Sequence, residues 1–134
     1  MTEENKFANI KAEIDRARGF QAAAELLAGN YLVNDAVSRL YYYLLSYIRA
    51  LLLSEGVEPK SHEGALGLLG LYFIKKGFVE PRVSHVFSKL MKYREEADYN
   101  PGFVFREEDY HELWEEVGSV VRLIEEYLRG KGLL

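Results

Sequence analysis

Arg94 is the residue of this chain whose chemistry its neighbours do not explain. Between Pro81 and Asp98, the residues Val83, Phe87, Leu90 and Ala97 recur at helical spacing and define an inward stripe, and Arg94 falls on that stripe. A guanidinium facing a core needs a partner, because an unpaired buried charge is costly. Asp98 stands four residues on, one turn away on the same face. Two chemistries fit the pair. In one, Arg94 and Asp98 form an intrahelical clip at the helix end. In the other, the carboxylate orients a planar fork that reads an anion, phosphate foremost. Tyr99 follows where Asn100-Pro101-Gly102 breaks the chain, and it adds a hydroxyl donor at the mouth of any groove opened there.

Companions come from two other segments. Ser38, Tyr42, Ser46 and Arg49 are spaced as one polar-aromatic stripe of the second helix, with Arg39, Tyr43 and Tyr47 as a neighbouring row. Tyrosine rings stack on bases and arginines meet phosphates, but tyrosine-rich helical faces also build subunit interfaces. His62 opens the third helix, either as a polar site group or as a solvent-facing first-turn residue. The ligand site expected from these residues comprises Arg94, Asp98, Tyr99, His62 and Tyr42. Arg94, His62 and Tyr99 are the candidates for any catalytic role. His85 reads as a surface residue. His111 and Glu115 have the spacing of two ligands on one helix face, which falls short of a metal site. Zinc spacing, a phosphate-cradling glycine loop and a Ser or Cys nucleophile elbow are all missing, so no metal or cofactor is expected.

Five helical stretches must position these groups, and no β-alternation interrupts them. The spacing predicts a first helix over Glu3 to Ala28, with Phe7, Ile10, Ile14, Ala17, Leu26 and Leu27 on one side and Gly29-Asn30 as its stop. The second runs from Leu32 to Ser54 on Val33, Val37, Leu40, Leu44, Ile48 and Leu51. A third, His62 to Lys76, starts at Ser61 as N-cap and ends at Gly77. Its Gly64, Gly67 and Gly70 predict a bare face that another helix can approach. Pro81 suits the first turn of the fourth helix, which ends near Asp98. The fifth, Glu107 to Leu128, opens on acids that complement its N-terminus. Short connections favour an all-α, up-and-down antiparallel four-helix bundle with one additional short helix. Its expected core includes Trp114, Val117, Val121, Leu40, Leu44, Phe87 and Leu90.

The 134 residues, 49% of them hydrophobic and 28% charged, suit one domain over 1–134 that needs no staples; the absence of cysteine removes disulfides and thiolate metal sites. A net charge of −4 argues against a wholesale basic clamp on nucleic acid, and the last helix is the most acidic part, so an anion site belongs elsewhere. The most apolar run, Leu40 to Leu53, is interrupted by Arg49 and too short to span a bilayer. A cytoplasmic location is the default expectation.

Three strings, in this order, carry a resemblance. Asp35-Ala36-Val37-Ser38-Arg39-Leu40-Tyr41-Tyr42 looks like the second-helix signature of small prokaryotic HEPN proteins. Ser61-His62-Glu63-Gly64 resembles their histidine-bearing third-helix start. Arg94-Glu95-Glu96-Ala97-Asp98-Tyr99 is similar to the Arg-x-x-Ala-Asp-Tyr ending of the fourth helix in one HEPN subgroup. The likeness covers about residues 15 to 128. It implies an antiparallel helical bundle, a homodimer, and a groove near the dimer interface that collects polar residues. It also implies a nucleotide- or RNA-binding module that works with a separately encoded minimal nucleotidyltransferase, in some pairs as toxin and antitoxin. Toxin-like members of the family are metal-independent endoribonucleases that use an Arg followed, after four residues, by His. Arg94 matches that arginine, but Tyr99 stands at the histidine's place, and tyrosine is a poor general base near neutral pH. Adenylylated members carry their target tyrosine two positions beyond the histidine, where this chain has Pro101. Three readings follow: the binding module, an active endoribonuclease toxin, and a dimeric interaction domain in which Arg94 and Asp98 are structural.

Overall fold

A computed structural model describes residues 2–134 and folds them into helices only. The Thr2 side chain accepts a hydrogen bond from the Asn5 N–H at 3.1 Å and starts α1 (Glu3–Gly29), with Glu3 and Glu4 in its first turn. The turn into α2 (Val33–Leu53) is closed by Asn30, whose amide donates to the Leu26 carbonyl at 2.8 Å. Its left-handed residue is Tyr31, at φ 62°, rather than a glycine. The Ser61 hydroxyl accepts from the Gly64 N–H at 2.9 Å and caps α3 (His62–Leu69). The chain continues from there as a single π-turn over Gly70–Ile74, where Lys75 N–H bonds to Gly70 O, and Gly77 closes the element at φ 74°. The third helix was expected to run as regular α-helix to Lys76. The wider turn instead carries Phe73 into full burial against Tyr127. Pro81 occupies the first turn of α4 (Pro81–Tyr99). α5 (Glu107–Gly130) begins with Asp109 accepting from the Arg106 N–H at 2.9 Å, so part of the acidic run serves as a helix start.

α2 is the axis of the molecule. α1, α4 and α5 all pack on it, α3 touches it at one end, and α4 and α5 also pack on each other. An element surrounded in this way keeps only a narrow outward strip, so almost every α2 side chain from Ala36 to Leu53 is buried, Arg39, Tyr42 and Arg49 excepted. This corrects the expected polar-aromatic stripe in part, since Tyr42 and Arg49 keep some exposure. Ser38 and Ser46 are buried, and Tyr43 and Tyr47 are packed inside the monomer, with Tyr47 donating to Glu125 at 3.1 Å. Those tyrosines are therefore not a subunit surface.

The remaining expected core residues, Leu40, Leu44, Phe87, Leu90, Val117 and Val121, are buried together. Trp114 is not among them; it lies half-exposed at the core's edge against Tyr110. In α1, Ile10, Ile14, Ala17 and Ala24 face α2, whereas Phe7 and Leu26 point outward. The glycines of the third helix admit no close neighbour: a Cβ at Gly67 or Gly70 would meet nothing within 4 Å, and one at Gly64 would meet only the capping Ser61 hydroxyl.

The α4–α5 connection is fastened at the start of α2. The Asn34 side-chain amide donates to the Phe103 carbonyl at 2.8 Å, and its oxygen accepts from the Phe105 N–H at 2.9 Å. Two hydrogen bonds from one side chain hold the segment after Pro101 beside the α2 N-terminus, and with it the C-terminal end of α4. No helix of the described residues is long and apolar enough to cross a membrane.

Candidate functional site

The last turns of α4, the first half of α2 and the start of α3 converge on Arg94. Its side chain is only 12% exposed, and its terminal nitrogen lies 3.4 Å from an Asp98 carboxylate oxygen, an i, i+4 pair on one face of α4. The other Asp98 oxygen accepts a short hydrogen bond from the Ser38 hydroxyl of α2. Asp98 is thus held from a second helix and cannot swing freely, so the guanidinium it contacts is fixed as well. Two tyrosine rings also lie against that guanidinium. Its Cζ is 5.3 Å from the centre of the Tyr41 ring and 5.9 Å from that of Tyr99, both within reach of cation–π attraction.

Burial alone would weaken the charge on Arg94, but the Tyr42, Tyr99 and Tyr41 hydroxyls and the Asp98 carboxylate outweigh it, and the group's pKa is raised. The Nε–H of Arg94 is buried and has no hydrogen-bond partner among the described residues, and the same holds for the hydroxyl of Tyr41. A buried donor left unmade costs roughly 1–3 kcal/mol. This pair of orphaned groups side by side is therefore an anomaly that packing does not account for.

His62 reaches the cluster through Tyr41: the two rings are 5.5 Å apart, with Tyr42 edge-on to His62 at 6.3 Å. Partial burial, then the positive charges of Arg94 and Arg49, push its pKa below the ordinary 6.5. At neutral pH the imidazole is uncharged, free to accept a proton. The hydroxyl of Tyr41 is pushed up to about 12, mainly by burial, and stays protonated.

All five residues expected at the site, Arg94, Asp98, Tyr99, His62 and Tyr42, lie in this one cluster. Tyr99 is its outermost member, 75% exposed. Two members were not singled out as site residues from the sequence, Ser38 as the second holder of Asp98 and Tyr41 as the ring between Arg94 and His62. A signal for Tyr41 exists. It stands in helical phase with Val37 and Leu44, so its hydroxyl sits on an apolar stripe of α2 just as Arg94 does on that of α4. His85 and His111 are exposed and lie apart from the cluster.

The profile of the HEPN domain matches residues 10–127, nearly all of this chain. The chain belongs to the HEPN domain family. Among its HEPN relatives is a Methanocaldococcus jannaschii protein named "Putative toxin MJ0605", 38% identical over 90 residues that make up 67% of each chain. A second protein of that organism, "Putative toxin MJ0142", is 28% identical over 121 residues, 90% of this chain and 82% of its own. A "UPF0332 protein" of Thermotoga maritima is 33% identical over 94 residues, 70% of this chain and 71% of its own.

Proposed function

We propose that this HEPN protein is a toxin-like, cytosolic RNA-binding module that grips a phosphate of single-stranded RNA or of a nucleotide with Arg94. One observation carries the reading: Arg94 is nearly buried and held in place by Asp98, yet its Nε–H has no partner. A guanidinium oriented by a carboxylate, with a donor unmet, suits a planar, bidentate anion. The names of the two Methanocaldococcus jannaschii relatives support the toxin part of the reading. The family resemblance supports a second copy of this chain and a minimal nucleotidyltransferase as partners. Arg94→Lys keeps the charge and loses the fork, so RNA affinity in an anisotropy titration should fall about tenfold while the circular dichroism melt is preserved. Asp98→Asn should weaken binding less. Wild-type affinity in Arg94→Lys, or loss of the fold in both variants, would make the pair a structural clip and leave the interaction-domain reading.

His62 favours a second reading. Its uncharged imidazole packs on the same tyrosine ring as Arg94, a placement that allows it to serve as the general base missing at Tyr99 in a metal-independent endoribonuclease. RNA cleavage in the presence of chelator, abolished by His62→Ala, would establish that activity. Intact RNA under those conditions leaves a binding module.

A further inference from the structure

Beside the Ser38–Asp98 contact the surface opens into a cleft of about 610 Å³, within the roughly 300–1,000 Å³ of small-molecule sites. Ser38 and Asp98 line it, so the carboxylate that holds Arg94 is also part of the cleft wall. Phe20 and Tyr42, both half-buried and stacked on each other with centroids 5.4 Å apart, form its aromatic side. Its polar side is made by Asp35 and Arg39. These two are one turn apart on α2, about 6 Å along the helix axis. Opposite charges at that spacing ordinarily pair. Here neither is engaged by any ion pair or hydrogen bond among the described residues, and both stand exposed at the cleft.

We infer that this cleft is a nucleobase subsite selective for guanine, placed so that the base's own phosphate reaches Arg94. The inference rests on the phosphate-binding reading of Arg94 and names the ligand class of that site. Guanine is the base whose two edges match the two free charges. Its N1–H and N2–H₂ donate in parallel to a carboxylate such as Asp35, while its O6 and N7 accept from a guanidinium fork such as Arg39. Adenine and cytosine offer one exocyclic amine beside a ring nitrogen whose lone pair would face the carboxylate. Uracil presents carbonyl oxygens on both sides of its single N–H. The Phe20–Tyr42 wall adds stacking that every base shares, so it supplies affinity without choice, and discrimination falls to Asp35 and Arg39.

The test titrates the full-length protein with 5′-GMP, AMP, CMP and UMP, followed by calorimetry, for wild type, Asp35→Asn and Arg94→Lys. Circular dichroism checks that each variant is folded. GMP is expected to bind more tightly than the other three by on the order of tenfold. In Asp35→Asn that preference should vanish and leave a common residual affinity. In Arg94→Lys all four affinities should fall together with the preference for GMP intact. Equal binding of the four by wild type would overturn the guanine subsite and leave the Arg94 reading standing. A preference for GMP that survives Asp35→Asn would overturn it too. No binding of any nucleotide would overturn both.

Discussion

At the scale of single residues, the site is organised by what lies between groups rather than by the groups alone. Tyr41 has Arg94 on one side and His62 near its ring, so the field of the guanidinium reaches the imidazole across a protonated phenol. This has a measurable consequence for stability. The folded protein holds His62 below its ordinary 6.5, through burial first and the two arginines second, so the unfolded chain binds the proton more readily. Stability contributed by neutral His62 is therefore full above 6.5 and declines as pH falls from there through the lowered value. Thermal melts of wild type and His62→Gln over that interval should diverge, the wild type losing stability more steeply. Parallel curves would mean that His62 is neither part-buried nor under the field of the two arginines. Arg94 was legible in the sequence because it breaks an apolar period, and Asp98 because it stands one turn on from that arginine. Tyr41 gave a fainter signal, because tyrosine is half apolar and only its hydroxyl conflicts with an inward stripe. The link from Ser38 to Asp98 spans two helices sixty positions apart in the chain, and no local spacing encodes it.

At the scale of elements, α2 sets the terms for everything else. The burial of Ser38, Ser46, Tyr43 and Tyr47 escaped the sequence for a plain physical reason: serine and tyrosine occupy positions where close helix packing needs small or half-polar groups, and a polarity pattern cannot distinguish those from solvent. The helix boundaries, the Ser61 cap and the Pro81 start were readable because capping is a local matter of a few residues. The π-turn was not, since nothing in Gly70-Leu71-Tyr72 distinguishes it from ordinary helix. The exposure of Trp114 likewise depends on which side of α5 is left uncovered, a tertiary choice. Leu44, fully buried on α2 among the facing helices, is the residue on which the phase of the core can be checked. Leu44→Ala should cost about 2–5 kcal/mol in denaturant unfolding, and a loss within measurement error would mean that the helix is rotated.

At the scale of the whole molecule, the monomer buries its tyrosine rows, yet Tyr31, Tyr99 and Val104 remain largely exposed. Together with the family resemblance this favours a pair of chains, and sedimentation at micromolar concentration should report twice the 15.4 kDa chain mass. A monomer there would leave those side chains for a different partner. The attachment of α1 carries a consequence of another kind. This helix gives its buried face to α2 and makes little contact elsewhere, and two of the four residues it buries fully are alanines. Opening that one seam leaves the packing of α2 against α4 and α5 in place, so α1 can part from the rest only as a unit and only by giving up the most extensive helix–helix contact of the fold. Phe20 rides on that unit. A base seated between its ring and α2 would bridge that seam, and occupancy of the cleft would then be felt as slowed amide exchange along the length of α1.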